Sequence, residues 1–261
     1  MLEDLFAGAL KDSLARAEHT SLTELEKAMA EHNPPLDAKS ILGATNTIRV
    51  IAEIKRASPS KGDLAEISDP AALAIIYADN GAATISVLTE ERKFKGSLAD
   101  LAAVRAAVEI PILRKDFIST EHQIIEARAF GADLVLLIVA GLEQPALQSL
   151  FRFINSLGMT ALVETHNADE VKRAVDIGAE LIGINARDLS TFETDKSLFA
   201  ALADLLPKNS ISVAESAVTN LTDVQDYASA GADCVLIGEA LVTGDPVPLL
   251  QGIKQIPKIR L

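Results

Sequence analysis

A chain of 261 residues, 49% of them hydrophobic, holds enough apolar material for one large α/β domain or two small ones and needs no covalent staples. A net charge of -13 with only 4% aromatic residues argues against nucleic acid as a partner, which would need clustered cations and stacking platforms. The single cysteine, Cys234, sits in the apolar run CVLIG and excludes a disulfide framework, so a reducing cytoplasm is the expected compartment.

The opening MLEDLFAGALKDSL carries Leu2, Leu5, Phe6, Leu10 and Leu14 at helical spacing among acids and lysine. That pattern predicts an amphipathic helix over 2–18 rather than a signal peptide. A second helical pattern covers 21–31 and breaks at Asn33, Pro34 and Pro35. Residues 1–47 are therefore expected to form a helical extension packed on one end of a barrel built from 48–261, the whole being a single domain. No apolar run approaches the roughly 18 residues that span a bilayer, so no membrane partner is expected.

From residue 48 onward one plan repeats. Helical patterns close on Gly-Ala and run directly into apolar strands in NGAATISVL, FGADLVLLI, IGAELIGIN and AGADCVLIG, with glycines at 81, 131, 178 and 231. Each glycine suits the left-handed position that ends a helix. Between these lie IRVIAEI, IPILRK, MTALVE and ISVAE, which brings the strand count to eight. Eight βα units of about 25 residues predict an α/β fold, a (β/α)8 TIM barrel. A doubly wound open sheet is the competing architecture, but it requires no four similar quarters, and no G-x-G-x-x-G follows the first strand.

Charge concentrates at the ends of the odd strands: Glu53 and Lys55 on strand one, Lys115 on strand three, Glu164 on strand five and Glu215 on strand seven. Strand side chains alternate, so these groups share a face with Ile51, Leu113, Leu162 and Val213. If the apolar members face the barrel axis, the charges meet at its carboxyl end, where barrel active sites lie. Arg56 falls on the opposite face, and Ser58, Pro59, Ser60, Lys61 and Gly62 read as the first βα loop. Strand six adds Asn185 and Arg187 in GINARD, at the same parity. The mouth then holds the cations Lys55, Lys115 and Arg187 against Glu53, Glu164 and Glu215. That mixture would hold an anionic substrate locally although the global field repels it. Neighbouring cations and carboxylates push the Lys115 pKa in opposite directions, and both outcomes stay open at this level. Ser216 in AESAV and Gly238 in LIGEALVTGD lie after strands seven and eight, where barrels of this kind commonly cradle phosphate. The histidines at 19, 32, 122 and 166 show no metal-ligand spacing, so no metal is expected.

AEIKRASPSKG, SVLTEERKFKGSL, LRKDFI, LLIVA, LVETH, GINARDL, VAES and LIGEALV, in this order, resemble indole-3-glycerol phosphate synthase across about residues 48–246. The resemblance implies a cofactor-free enzyme of tryptophan biosynthesis that acts on a small phosphorylated substrate. It closes the indole ring of 1-(2-carboxyphenylamino)-1-deoxyribulose 5-phosphate with loss of carbon dioxide and water. Carried over motif by motif, it makes Lys115 the general acid of ring closure and assigns Glu53, Lys55 and Glu164 to the dehydration. It places Ser58, Phe94, Phe117, Asn185, Arg187 and Glu215 against the substrate, and Lys55, Ser216, Ala217, Gly238 and Glu239 around its phosphate. The family usually reads E-S-G after strand seven, whereas this chain reads Glu215, Ser216, Ala217. His166, where some relatives carry asparagine, receives no role.

Three alternatives compete. Phosphoribosylanthranilate isomerase shares the barrel but depends on a strand-one cysteine, and here Cys234 lies on strand eight. A Schiff-base aldolase would use Lys115 as nucleophile, and borohydride trapping with a carbonyl substrate would reveal it. A non-catalytic phosphate-binding barrel would not need acids and bases together. The chain is expected to act as a monomer, with no second domain after IKQIPKIRL.

Overall fold

The computed structural model describes residues 2–43, 45–188, 191 and 193–259. Eight parallel strands close into a barrel: β1 (Arg49–Ile54), β2 (Thr84–Leu88), β3 (Ile112–Lys115), β4 (Leu134–Ile138), β5 (Thr160–Thr165), β6 (Leu181–Asn185), β7 (Ile211–Glu215) and β8 (Cys234–Ile237). Each strand pairs with its neighbours in sequence, and β8 closes on β1 through Ile51 opposite Leu236 and Ala52 opposite Ile237. The fold is a (β/α)8 barrel, and no open sheet edge remains in it.

The left-handed glycines occur where the repeat predicts them, with φ of 115° at Gly81, 90° at Gly131, 80° at Gly178 and 92° at Gly231. Helix starts are equally local in origin. Asp69 accepts from the Ala72 amide ahead of Pro70, which opens α4 (Pro70–Asn80), the first helix after β1. Thr120 with Gln123 forms a capping box on α6 (Glu121–Ala129), and Asn220 with Asp223 forms another on α10 (Leu221–Ser229).

Ile51, Leu113, Leu162 and Val213, the apolar partners of the charged strand ends, are all fully buried. They form a packed floor, so the groups above them share a solid platform rather than a pore. Two short strands, Ala57–Ser58 and Gly62–Asp63, pair antiparallel in the first βα loop, with Gly62 at φ 69° in the turn between them. The alternation that marks barrel strands could not announce this hairpin, because its strands are only two residues long.

Before β1 come α1 (Leu2–Ala17), α2 (Leu22–Glu31) and α3 (Ala38–Gly43). Helix α1 is tied to β3 by packing and by charge. Phe6 meets Phe117 edge to face with ring centroids 5.6 Å apart, and it packs on Gly141 so closely that a Cβ there would lie 1.9 Å from its ring. Arg16 holds Glu126 on α6 with bonds of 2.7 and 2.9 Å, and Glu126 in turn lies 3.4 Å from the fully buried Arg114. Arg114 points away from the mouth, donating to Thr89, just past β2, and to Asp116, the residue after Lys115. Removing one partner from so deep a pair costs about 3–5 kcal/mol, because the remaining charge is left uncompensated.

Candidate active site

A cavity of about 940 Å³ opens at the carboxyl end of the barrel. Every residue the sequence assigns to the site lines it: Glu53, Lys55, Ser58, Phe94, Lys115, Phe117, Glu164, Asn185, Arg187, Glu215, Ser216, Ala217, Gly238 and Glu239. Leu2 and Leu5 of α1, together with Leu88, Leu136, Ile138 and Leu236, add apolar wall. The contribution of α1 is invisible in a strand-end argument, because it arrives from a segment that belongs to no βα unit.

At the centre stands the Lys115 ammonium. It lies 3.5 Å from Glu164, 4.0 Å from Glu53 and 4.0 Å from Glu215, while Lys55 pairs with Glu53 at 2.8 Å. Burial alone would lower the Lys115 pKa, but the field of Glu164, Glu53 and Glu215 overrides it and raises the pKa above that of a free lysine. The opposing influences left open at the sequence level are thus decided by distance. Glu53 is nearly fully buried, which favours its neutral form, yet Lys55 and Lys115 hold its pKa below the usual value.

Glu164 and Glu215 behave oppositely. Despite burial, Lys115 and His166 keep the Glu164 pKa well below the carboxylate range. Burial and the charge of Glu164 raise the Glu215 pKa well above it. Two carboxylates sharing one ammonium cannot both ionise cheaply, so the pair retains a proton. Their closeness has a backbone cause. Gly183 on β6 is registered beside Glu164, and a Cβ on it would lie 2.0 Å from Glu215 Oε1. Gly238 clears space similarly for Glu53, whose Oε1 would lie 2.3 Å from an added Cβ. The glycine in GINARD carries no recognisable turn signal, because the need for it is a contact between neighbouring strands.

One side of the cavity is apolar and aromatic. Phe94 and Phe117 lie 6.1 Å apart, tilted by 42°. Phe94 is presented by a loop folded around Glu90, whose carboxylate accepts from the amides of Arg92, Lys93 and Phe94 at 3.0, 2.7 and 2.9 Å. In the first βα loop, Lys61 pairs with Glu239 at 3.1 Å, and Ser58 accepts from the Lys61 amide at 3.3 Å. The Glu239 side chain therefore faces a cation of the loop. Gly238 precedes the short helix α11 (Glu239–Thr243).

Asn185 accepts from the Ser216 hydroxyl at 2.8 Å and from the Arg187 amide at 3.0 Å. Ser216 and Ala217 are both left-handed, at φ 68° and 59°. That conformation costs a residue with a Cβ about 1–2 kcal/mol, which explains why glycine suits position 217. Ala217→Gly is expected to stabilise the protein by about 1 kcal/mol, because relief of the strain exceeds the extra unfolded-state entropy of glycine. Calorimetry should record a melting temperature higher by about 2–4 °C, and an unchanged or lower value would contradict the strain argument.

The sequence model of one family, described as Indole-3-glycerol phosphate synthase, matches residues 2–250. The chain belongs to the indole-3-glycerol phosphate synthase family. Its relatives include the indole-3-glycerol phosphate synthase of Leifsonia xyli subsp. xyli, 57% identical over 98% of both chains. That of Mycolicibacterium gilvum is 58% identical over 94% of this chain and 90% of its own. Among solved structures, the N-acetylmannosamine-6-phosphate 2-epimerase of Clostridium perfringens superposes with a TM-score of 0.62. It covers 82% of this chain and 93% of that one, and at 14% identity the likeness concerns the fold alone. No helix among the described residues is long and apolar enough to cross a membrane.

Proposed function

We propose that this synthase family member closes the indole ring of 1-(2-carboxyphenylamino)-1-deoxyribulose 5-phosphate, using Lys115 as general acid. The observation that carries the assignment is the Lys115 ammonium, within 4.0 Å of Glu53, Glu164 and Glu215 above a packed apolar floor. As the aromatic carbon attacks the ketone, charge develops on its oxygen, and Lys115 delivers a proton there. The group is protonated beforehand and fixed in place, so it stabilises the transition state more than the ground state. Carbon dioxide then departs from the ring carbon that formed the bond.

Dehydration needs a second acid and a base. Lys55, oriented by Glu53 at 2.8 Å, protonates the departing hydroxyl. Glu164, kept ionised, accepts the proton lost as the indole forms. Phe94 and Phe117 flank the anthranilate ring, Asn185, Arg187, Ser58 and Glu215 orient the substrate, and Ser216, Ala217, Gly238 and Glu239 with Lys55 surround the phosphate. Lys55 reaches the phosphate through its ammonium before it serves the dehydration, and the other four act through backbone amides, since the Glu239 carboxylate would repel phosphate. The proposed proton transfers call on side chains alone, so the reading involves no cofactor. A lysine held as ammonium by its neighbours is a poor nucleophile, which argues against the Schiff-base reading. The lone, fully buried Cys234 supports a reducing cytoplasm as the compartment.

Supplying the carboxyphenylamino deoxyribulose phosphate to purified protein is expected to give indole fluorescence that grows with time. Folded protein that forms no indole product would overturn the assignment.

A further inference from the structure

His166 follows β5 and does not line the cavity, yet it connects the cavity to a helix behind it. Its Nε2 lies 3.3 Å from Glu164 Oε1, and its Nδ1 lies 3.0 Å from Glu170 Oε2. Glu170 is in the first turn of α8 (Ala168–Asp176). That carboxylate accepts from the His166 amide at 2.8 Å and from the Asn167 side chain at 2.6 Å, so the helix cap fixes it. Glu164 consequently has a cation at each oxygen, the imidazole at Oε1 and the Lys115 ammonium at Oε2. The contacts at Glu164 Oε2 and His166 Nε2 are ion pairs without hydrogen-bond geometry, whereas Glu215 is paired with Lys115 at 4.0 Å and neither of its buried oxygens has a hydrogen-bond partner among the described residues.

We propose that His166, braced by Glu170, is a positioning residue that makes Glu164 rather than Glu215 the ionised member of the carboxylate pair. The inference rests on the synthase reading for its catalytic meaning, since an ionised Glu164 is the base that reading requires. The charged groups facing His166 are Glu164 from β5 and Glu170 from α8, and behind Glu164 stand Lys115 of β3, Glu53 of β1 and Glu215 of β7. Burial of the ring opposes its charge, but the two carboxylates outweigh burial and raise its pKa to about 10. The raised pKa favours the imidazolium at neutral pH, where it gives Glu164 a charged partner.

The test compares wild type with His166→Asn and Glu170→Gln. Loss of the imidazolium removes one of the two groups that hold Glu164 ionised, so the acidic limb of the kcat profile should move up from below the ordinary carboxylate range toward it. On that limb kcat falls about tenfold, and it recovers toward the wild-type plateau at higher pH with KM nearly unchanged. Glu170→Gln should shift the limb in the same direction by less, and it serves as the probe if His166→Asn does not fold. A purely structural role would lower kcat at every pH, and that result, or an unmoved limb, overturns the proposal. Carboxyl carbon NMR of the ligand-free protein, assigned with Glu164→Gln and Glu215→Gln, is a readout independent of turnover. It should show Glu164 ionised and Glu215 protonated at pH 7 in wild type and the proton displaced toward Glu164 in His166→Asn; the reverse assignment, or a pair unchanged by His166→Asn, overturns the proposal. A wild-type protein without synthase activity would remove the proposed function, while the NMR result would still decide which carboxylate His166 ionises.

Discussion

Alanine at position 115 is expected to lower turnover by about 10⁴-fold, combining the loss of a general acid with the loss of a charge that stabilises the developing oxyanion. The side chain removed is the shared partner of three buried carboxylates, at 3.5 Å from Glu164 and 4.0 Å from Glu53 and Glu215. Those acids compensate by taking up protons, so the variant is expected to fold near neutral pH and to lose stability as pH rises. That pH dependence belongs to the acids, whose burial disfavours their charged forms once the ammonium is gone, while the overall loss belongs to the native lysine, whose folded pKa is raised. Its contribution is complete below the unfolded pKa of about 10.4, so all of it is present at pH 7 and all is missing in the variant. Ligand affinity should change little, because the proposed ring and phosphate contacts are made by other residues of the cavity. Single-turnover fluorescence with substrate and calorimetric titration with product separate the two effects. A near-normal rate would remove Lys115 from the chemistry.

Much of this site could be read from strand parity alone. Glu53, Lys55, Lys115, Glu164 and Glu215 sit at odd-strand ends in phase with Ile51, Leu113, Leu162 and Val213, and period-two alternation is a local rule that survives into the fold. The Gly-Ala repeat was legible for a similar reason, since a left-handed helix end is set by a few neighbouring residues. What escaped the sequence depends on contacts between distant segments. Arg114 reads as one more cation in LRKDFI, and only the fold brings it against Glu126, which answers to Arg16 on α1. His166 shows no ligand spacing, because its partners are a strand neighbour and a helix cap. The sign of the Lys115 shift was equally hidden, for it is settled by separations of 3.5 and 4.0 Å that no spacing of residues encodes.

Gly183→Ala tests the packing of the site without replacing a titratable group. A methyl at this position would stand 2.0 Å from Glu215 Oε1, and the next obstacle, Leu162 Cδ1, is at 3.5 Å, an ordinary contact. The clash is therefore with the far end of one flexible side chain, and the backbone of β6 need not move. Gly183 has an ordinary φ, so alanine brings no left-handed strain, and the variant should retain most of its stability. The Glu215 carboxylate, however, must leave its place beside Glu164 and move toward the open cavity. Displacements of about 1 Å in a catalytic constellation cost on the order of 10²-fold in rate, and kcat should fall by about that factor. Separating the two carboxylates also lets Glu215 ionise more readily, because the charge of Glu164 is one of the causes that hold its proton. The expected signature is a folded protein with a melting temperature close to wild type, a kcat reduced about 100-fold, and a Glu215 carboxyl signal titrating at lower pH. Normal kcat in a folded Gly183→Ala protein would mean that the carboxylate pair tolerates separation and that the bare backbone at β6 is not what holds it together.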